Sequence, residues 1–176
     1  MKSIKFLAAV GLLASTLTTS GLLAASQFSS SASSAPSCRS SRIAVTHGAP
    51  QGTAGTTYIP LRFTNEGAAC AIWGVPVIQP VVGASHKPVG PGARNLSTGE
   101  MPVRHVVAKG AAVSVAFGVV DTGNYSASAC VARSASGVIV TLGSFARATY
   151  LHLPITVCTK RWSVTTRLIV PGVSGY

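Results

Sequence analysis

Carboxylates are nearly missing from this chain. Its 176 residues hold three Asp and Glu in all, against 14 Lys and Arg. A carboxylate pair working as acid and base, as in glycoside hydrolysis, would need two of these three. Their spacing brings no two together. Glu66 falls in an Asn-Glu-Gly turn, Glu100 in a Gly/Pro-rich stretch, and Asp121 opens a loop after a strand, where Asp commonly caps a turn. Glu and Lys are also too scarce to build amphipathic helices, and no segment after the N-terminal stretch has a helical period. There is no Gly-x-Ser-x-Gly elbow, so a Ser/His/Asp triad has no motif behind it, although Ser and four His are present. No Gly-rich loop ends in Lys-Ser/Thr to cradle a phosphate. No internal repeat is visible.

Metal ligands are thin as well. Met101 and His105, in Met-Pro-Val-Arg-His, are the only soft pair close in sequence. A copper site could use both, but it would want more ligands, and Arg104 beside them repels a cation. His47, His86 and His152 show no ligand spacing, and His152 alternates with Leu151 and Leu153 as a surface-facing strand residue would. No cofactor or metal is expected. Asn95-Leu96-Ser97 and Asn124-Tyr125-Ser126 match the glycosylation sequon, a short pattern that by itself points to no function.

What the chain does have begins with a leader. Met1-Lys2-Ser3-Ile4-Lys5 is a basic start, Phe6 to Leu23 is mostly apolar, and Ala24-Ala25-Ser26 offers small residues for cleavage. Ser and Thr interrupt the apolar stretch, which argues against a membrane span. Residues 1–26 are therefore expected to be a secretory signal peptide, with no span left after its removal. The first Cys is Cys38, too far on for lipid attachment at that site. Residues 27–37, QFSSSASSAPS, read as a flexible tether, and residues 38–176 as one domain. Removing 26 of 176 residues leaves 150, and a domain of that size buries about 68–70% of its unfolded surface, so it needs no metal to fold. Four cysteines in an exported chain read as disulfides, with three pairings open.

The clearest strand is Thr57 to Asn65, where Ile59, Leu61 and Phe63 alternate with Pro60, Arg62 and Thr64. Pro60 lacks an N–H, which predicts a sheet edge or a bulge there. Asn65-Glu66-Gly67 supplies a turn, and Cys70, Ile72 and Trp73 start the next strand. Further strands are expected at 42–46, 77–82, 111–120, 137–142, 150–157 and 162–170. In the last of these, Trp162, Val164, Thr166 and Leu168 share one face and Arg167 the other, so Trp162, like Trp73, is expected in the core. Residues 83–102, rich in Gly and Pro, read as a long loop, first of all a crossover between sheets. Seven to eight short strands with turns between them predict an all-β, antiparallel sandwich, with a barrel as the alternative.

The order Cys38, Gly55 with Tyr58, Phe63-Thr64-Asn65, then Cys70 followed by Gly74-x-Pro76, resembles an actinobacterial family of secreted proteins and lipoproteins, domain of unknown function 4232. Cys130, Cys158 and the closing strand fit it too, so the resemblance covers roughly residues 38–170. It implies an immunoglobulin-like β-sandwich exported to the cell envelope, with no assigned activity. The residues that carry it are structural, and the lipid-attachment Cys of many members is missing here. Since Cys38 precedes the first strand and Cys70 opens the third, while Cys130 and Cys158 bracket residues 137–157, the expected disulfides are Cys38–Cys70 and Cys130–Cys158.

Charge is the remaining signal. Lys2 and Lys5 lie in the leader, so 14 basic residues less these two leave 12 against three acids, a net +9. The basic residues are spread over strands and loops and not gathered in one run. Lys87, Arg94, Arg104 and Lys109 fall in or beside the irregular 83–110 region and are the expected contacts for anions. The resulting expectation is a secreted, monomeric, non-catalytic binding or structural module. Its partners would be anionic envelope polymers or an envelope protein, with no specific nucleic acid. Two other classes stay open: a small hydrolase of envelope polymers, and a metal-handling exported protein.

Overall fold

A computed structural model describes residues 35–143 and 147–176. The expected leader and all but the last three residues of the expected tether lie outside the described residues. In the chain from residue 38 onward, apolar alternation over long runs becomes sheet. The runs of five residues or more are β1 (Ile43–His47), β3 (Thr56–Asn65), β5 (Val77–Val82), β9 (Ala112–Val120), β10 (Ala132–Thr141) and β11 (Thr149–Cys158). Seven shorter segments add to them: β2 (Gln51–Thr53), β4 (Cys70–Ile72), β6 (Lys87–Pro88), β7 (Arg94–Asn95), β8 (His105–Val107), β12 (Val164–Thr166) and β13 (Val170–Pro171). The expected seven to eight strands thus become thirteen segments among the described residues, because the Gly/Pro-rich stretches still supply pieces of two or three paired residues. One turn of α-helix, α1 (Ala127–Cys130), stands where only a loop was expected. Among the described residues no helix is long and apolar enough to cross a membrane.

The fold is an antiparallel β-sandwich with two disulfides, compatible with an immunoglobulin-like arrangement. One sheet runs β1-β3-β9-β12-β7, with β2 also on β3 and β13 also on β9. The other runs β11-β10-β5-β6, and β4 pairs with β8. The β12–β7 pairing is parallel, whereas the other strand ladders are antiparallel. Ile59, Leu61, Phe63, Val113, Val115 and Phe117 from the first sheet meet Ile78, Val138, Val140, Leu153 and Val157 from the second in one buried cluster. Burying side chains of this size contributes about 1.5–3 kcal/mol each before entropy is counted.

Pro60 corrects one expectation. The strand that carries it is central, not an edge, and is paired without a bulge to β9 through Thr56–Thr64. On the opposite side β1 pairs with Leu61–Asn65 and β2 with Thr56–Tyr58, so Pro60 falls in the gap between two ladders. Its carbonyl accepts the Gly48 N–H at 2.8 Å there, and its missing N–H removes no ladder bond.

The closing segment corrects another. Expected as one strand over 162–170, it is two short pieces. Leu168 donates its N–H to Ser97 Oγ at 3.2 Å and Ile169 donates to the Gly74 carbonyl at 3.1 Å, outside any ladder. The alternation slips by one residue at this break, so Ile169, not Leu168, is buried beyond Val164 and Thr166.

Candidate functional site

The disulfides join the expected partners. Cys38 and Cys70 have Cα atoms 4.9 Å apart, and Cys130 and Cys158 have theirs 4.6 Å apart. The first fastens the chain before β1 to β4, where Cys38 N–H also donates to the Ala71 carbonyl at 2.9 Å. Ser37, expected in the tether, bridges Ala71 as well. The second ties α1 to the end of β11.

The four expected anion contacts are exposed, and each sits in different company. Lys87 lies on β6, beside Val82 at the margin of the second sheet. Arg94 lies on β7, its guanidinium carbon 5.8 Å from the ring centre of Trp162. Arg104 lies 4.1 Å over Trp73 and donates to the Ala35 carbonyl at 2.6 Å, so part of its role is structural. Lys109 lines a cleft of about 530 Å³ together with Arg39, Arg42 and Glu66. Arg39 and Arg42 were not among the expected contacts. They precede β1, and the Cys38–Cys70 crosslink, the pairing of β1 with β3 and the Glu66 N–H bond to the Arg42 carbonyl bring them to this cleft.

A second basic group forms around Trp162, which is 59% exposed and not in the core. Its neighbours in a hollow of about 370 Å³ are Pro91, Lys160 and Arg161. Arg161 stacks 4.0 Å over Tyr125. The loop that carries Lys160-Arg161-Trp162 is tightly held. Thr159 and Lys160 donate their N–H groups to the Cys130 carbonyl at 3.0 and 3.3 Å, and Ser163 Oγ accepts the Cys158 N–H at 2.8 Å. Val131 next to the disulfide sits at φ 51°, a left-handed conformation costly for a β-branched residue, and its carbonyl accepts Thr159 Oγ1 at 3.1 Å. Opposite, Gly90 at φ 67° presses on the Cys158 carbonyl so closely that a Cβ would collide with it. That approach brings Pro91 beside the loop. Sequence reasoning placed Trp162 in a strand; the run Lys160-Arg161-Trp162, one residue beyond the disulfide Cys158, was the signal available.

A further cleft, of about 700 Å³, is walled by Tyr58, Tyr176, Arg167, Ser97 and Glu100. The two Tyr rings meet edge to face at 6.0 Å. Gly118 makes room for Tyr58, whose ring carbons lie 3.1 and 3.4 Å from where a Cβ would be. Partial burial raises the Tyr176 phenol above its ordinary value, the Tyr58 phenol adds to the rise, and Arg167 opposes it. Tyr176 is 62% exposed, and solvent screening leaves the shift little weight in stability.

The other candidate groups lie apart. Glu66 and Glu100 line different clefts, and the Asp121 carboxylate accepts the Gly123 N–H at 2.8 Å, capping its turn as expected. His152 is exposed, as its alternation implied. His86 stacks on Tyr150 at 4.2 Å, and His105 Nε2 lies 3.2 Å from the Ile169 carbonyl. Met101 is 87% exposed. Among the described residues no three His, Cys, Asp or Glu side chains gather where they could hold a metal ion.

The model of a protein family described as "Domain of unknown function (DUF4232)" matches residues 38–171. No curated protein and no solved structure matches the chain.

Proposed function

The chain belongs to the DUF4232 family, and from that premise we propose that it is an exported, non-catalytic module that binds anionic polymers of the cell envelope through its basic surface. One observation carries this reading. All 12 Lys and Arg from Arg39 to Arg167 are exposed or half-buried, and among the described residues none forms an ion pair with a carboxylate. Cations left unpaired at a surface raise the local concentration of polyanions. The two disulfides fit an oxidising compartment, which is where phosphate-bearing envelope polymers are met.

The test is retention of the purified protein on a sulfonate matrix and on a phosphodiester-linked polysaccharide matrix over a salt gradient. Retention on both is expected, with elution as ionic strength rises, since such contacts are screened beyond about 8 Å at physiological salt. The triple variant Arg94→Gln, Arg104→Gln, Lys109→Gln should elute earlier. Failure of the wild-type protein to be retained at low salt would overturn the proposal.

A further inference from the structure

Trp162 breaks the usual rule for large aromatic side chains in a sandwich. It is 59% exposed, on a loop with no freedom to bury it. The Cys130–Cys158 crosslink, the Ser163 hydroxyl and the packing of Gly90 fix the loop from three directions. The Val131 backbone is held in an unfavourable conformation at the same place. Strain that persists because its surroundings impose it is often found at binding sites. The cations beside Trp162 are similarly arranged in advance: Tyr125 supports the Arg161 guanidinium, and Lys160 Nζ reaches the Ser128 carbonyl at 3.4 Å. Arg94 arrives from β7, a strand distant in sequence.

We propose that Trp162, with Arg94, Lys160 and Arg161 around it, is a binding site for a phosphate-bearing sugar unit of a polysaccharide. The inference rests on the reading that the basic surface binds anionic polymers, and it locates the specific contact. The indole offers a flat face with negative π density, which attracts the weakly positive C–H face of a pyranose ring. The guanidiniums of Arg94 and Arg161 offer paired N–H donors that match phosphate oxygens, and Lys160 adds a mobile point charge. A simple polyanion would need the charges and not the indole. A neutral glycan would need the indole and not the charges. The hollow beside them, about 370 Å³, is of the size that takes a small ligand.

The probes are a phosphomannan, dextran of similar length, dextran sulfate and a dT oligonucleotide, each titrated into wild-type protein, Trp162→Ala and Arg161→Gln. Thermal melts of the variants check folding. A second readout is the Trp162 indole N–H resonance in the Trp73→Phe background. The phosphomannan should shift that resonance, and Trp162→Ala should weaken phosphomannan binding about tenfold, roughly 1.4 kcal/mol. The same variant should bind dextran sulfate as the wild type does, because its charge is unchanged. Equal phosphomannan affinity of wild type and Trp162→Ala, with dextran sulfate still bound, would remove this site and leave the broader reading standing. Loss of binding to both polyanions by the wild type would remove both. Tighter binding of the dT oligonucleotide than of the phosphomannan would overturn the sugar assignment, and so would equal affinity for neutral dextran.

Discussion

Asn65 shows how one side chain can hold a sandwich corner together. It ends β3, is completely buried, and has its side-chain hydrogen-bonding groups occupied. Its amide group donates to the Ala68 carbonyl at 2.8 Å and the Val107 carbonyl at 2.9 Å, while its Oδ1 accepts the Gly67 N–H at 2.9 Å. Its backbone takes part as well, donating to Ala111 and accepting from Gly110. The turn after β3 and the connection from β8 to β9 therefore meet on one residue. Asn65→Ala removes three hydrogen bonds from a buried corner, at about 0.5–1.5 kcal/mol each. A loss of about 2–4 kcal/mol in a urea melt is expected. Asn65→Asp should cost at least as much, since it keeps the acceptor for Gly67 but turns a carboxylate oxygen toward two carbonyls. An Asp variant as stable as the wild type would show that volume, not hydrogen bonding, matters here. The sequence marked Asn65 as a turn residue, which is half of its role. Its bond to the Val107 carbonyl was not legible, because that group lies 42 positions away.

Strands were legible in proportion to their length. Ile59, Leu61 and Phe63 alternate for long enough to fix both the strand and its buried face, and β11 does the same through Leu153 and Val157. The short segments β6, β7 and β13 hold two residues each, too few for any period to appear. Trp162 was misplaced for a related reason. Its spacing from Val164 and Thr166 continues the alternation backwards, but β12 starts only at Val164, since the residues before it are committed to the turn closed by Ser163. The candidate sugar site thus depends on a crosslink and a turn, neither of which leaves a periodic trace. The crosslinks themselves can be separated experimentally. Cys38–Cys70 and Cys130–Cys158 close loops of 32 and 28 positions. The chain-entropy model gives each about 3.5–4 kcal/mol. Paired Cys→Ala variants should therefore lose similar amounts in a thermal melt. Amide exchange should distinguish them: loss of Cys130–Cys158 should speed exchange at Thr159 and Lys160, and loss of Cys38–Cys70 should speed it at position 38 and at Ala71. Uniform acceleration in both variants would mean that the crosslinks stabilise the sandwich without shaping any one surface.

Charge acts on the domain as a unit. With 12 basic residues against three acids from residue 35 onward, and no ion pair among the described residues, the folded state carries repulsion that the extended chain can relax. Salt screens that repulsion, with a Debye length of about 30 Å at 0.01 M and about 8 Å at 0.15 M. Raising sodium chloride from the lower to the higher value should therefore raise the melting temperature. An increase of a few degrees is expected, because about 1 kcal/mol moves the midpoint by roughly 2–4 °C in a domain of 150–250 residues. A polyanion does the same work locally. At low salt, dextran sulfate should stabilise the protein by binding the native state in preference to the unfolded one, with a gain that grows with its free concentration. The two effects compete, because screening weakens polyanion contacts while relieving repulsion. Melting temperature with dextran sulfate present should then change little or fall as salt rises, and without it should climb. Parallel salt series with and without the polyanion measure this. Two curves that rise together would mean that the surplus charge is a solvated coat with no binding role. Curves that converge only above physiological salt would place the contact among the exposed Arg and Lys side chains, as the surface of this sandwich leads one to expect.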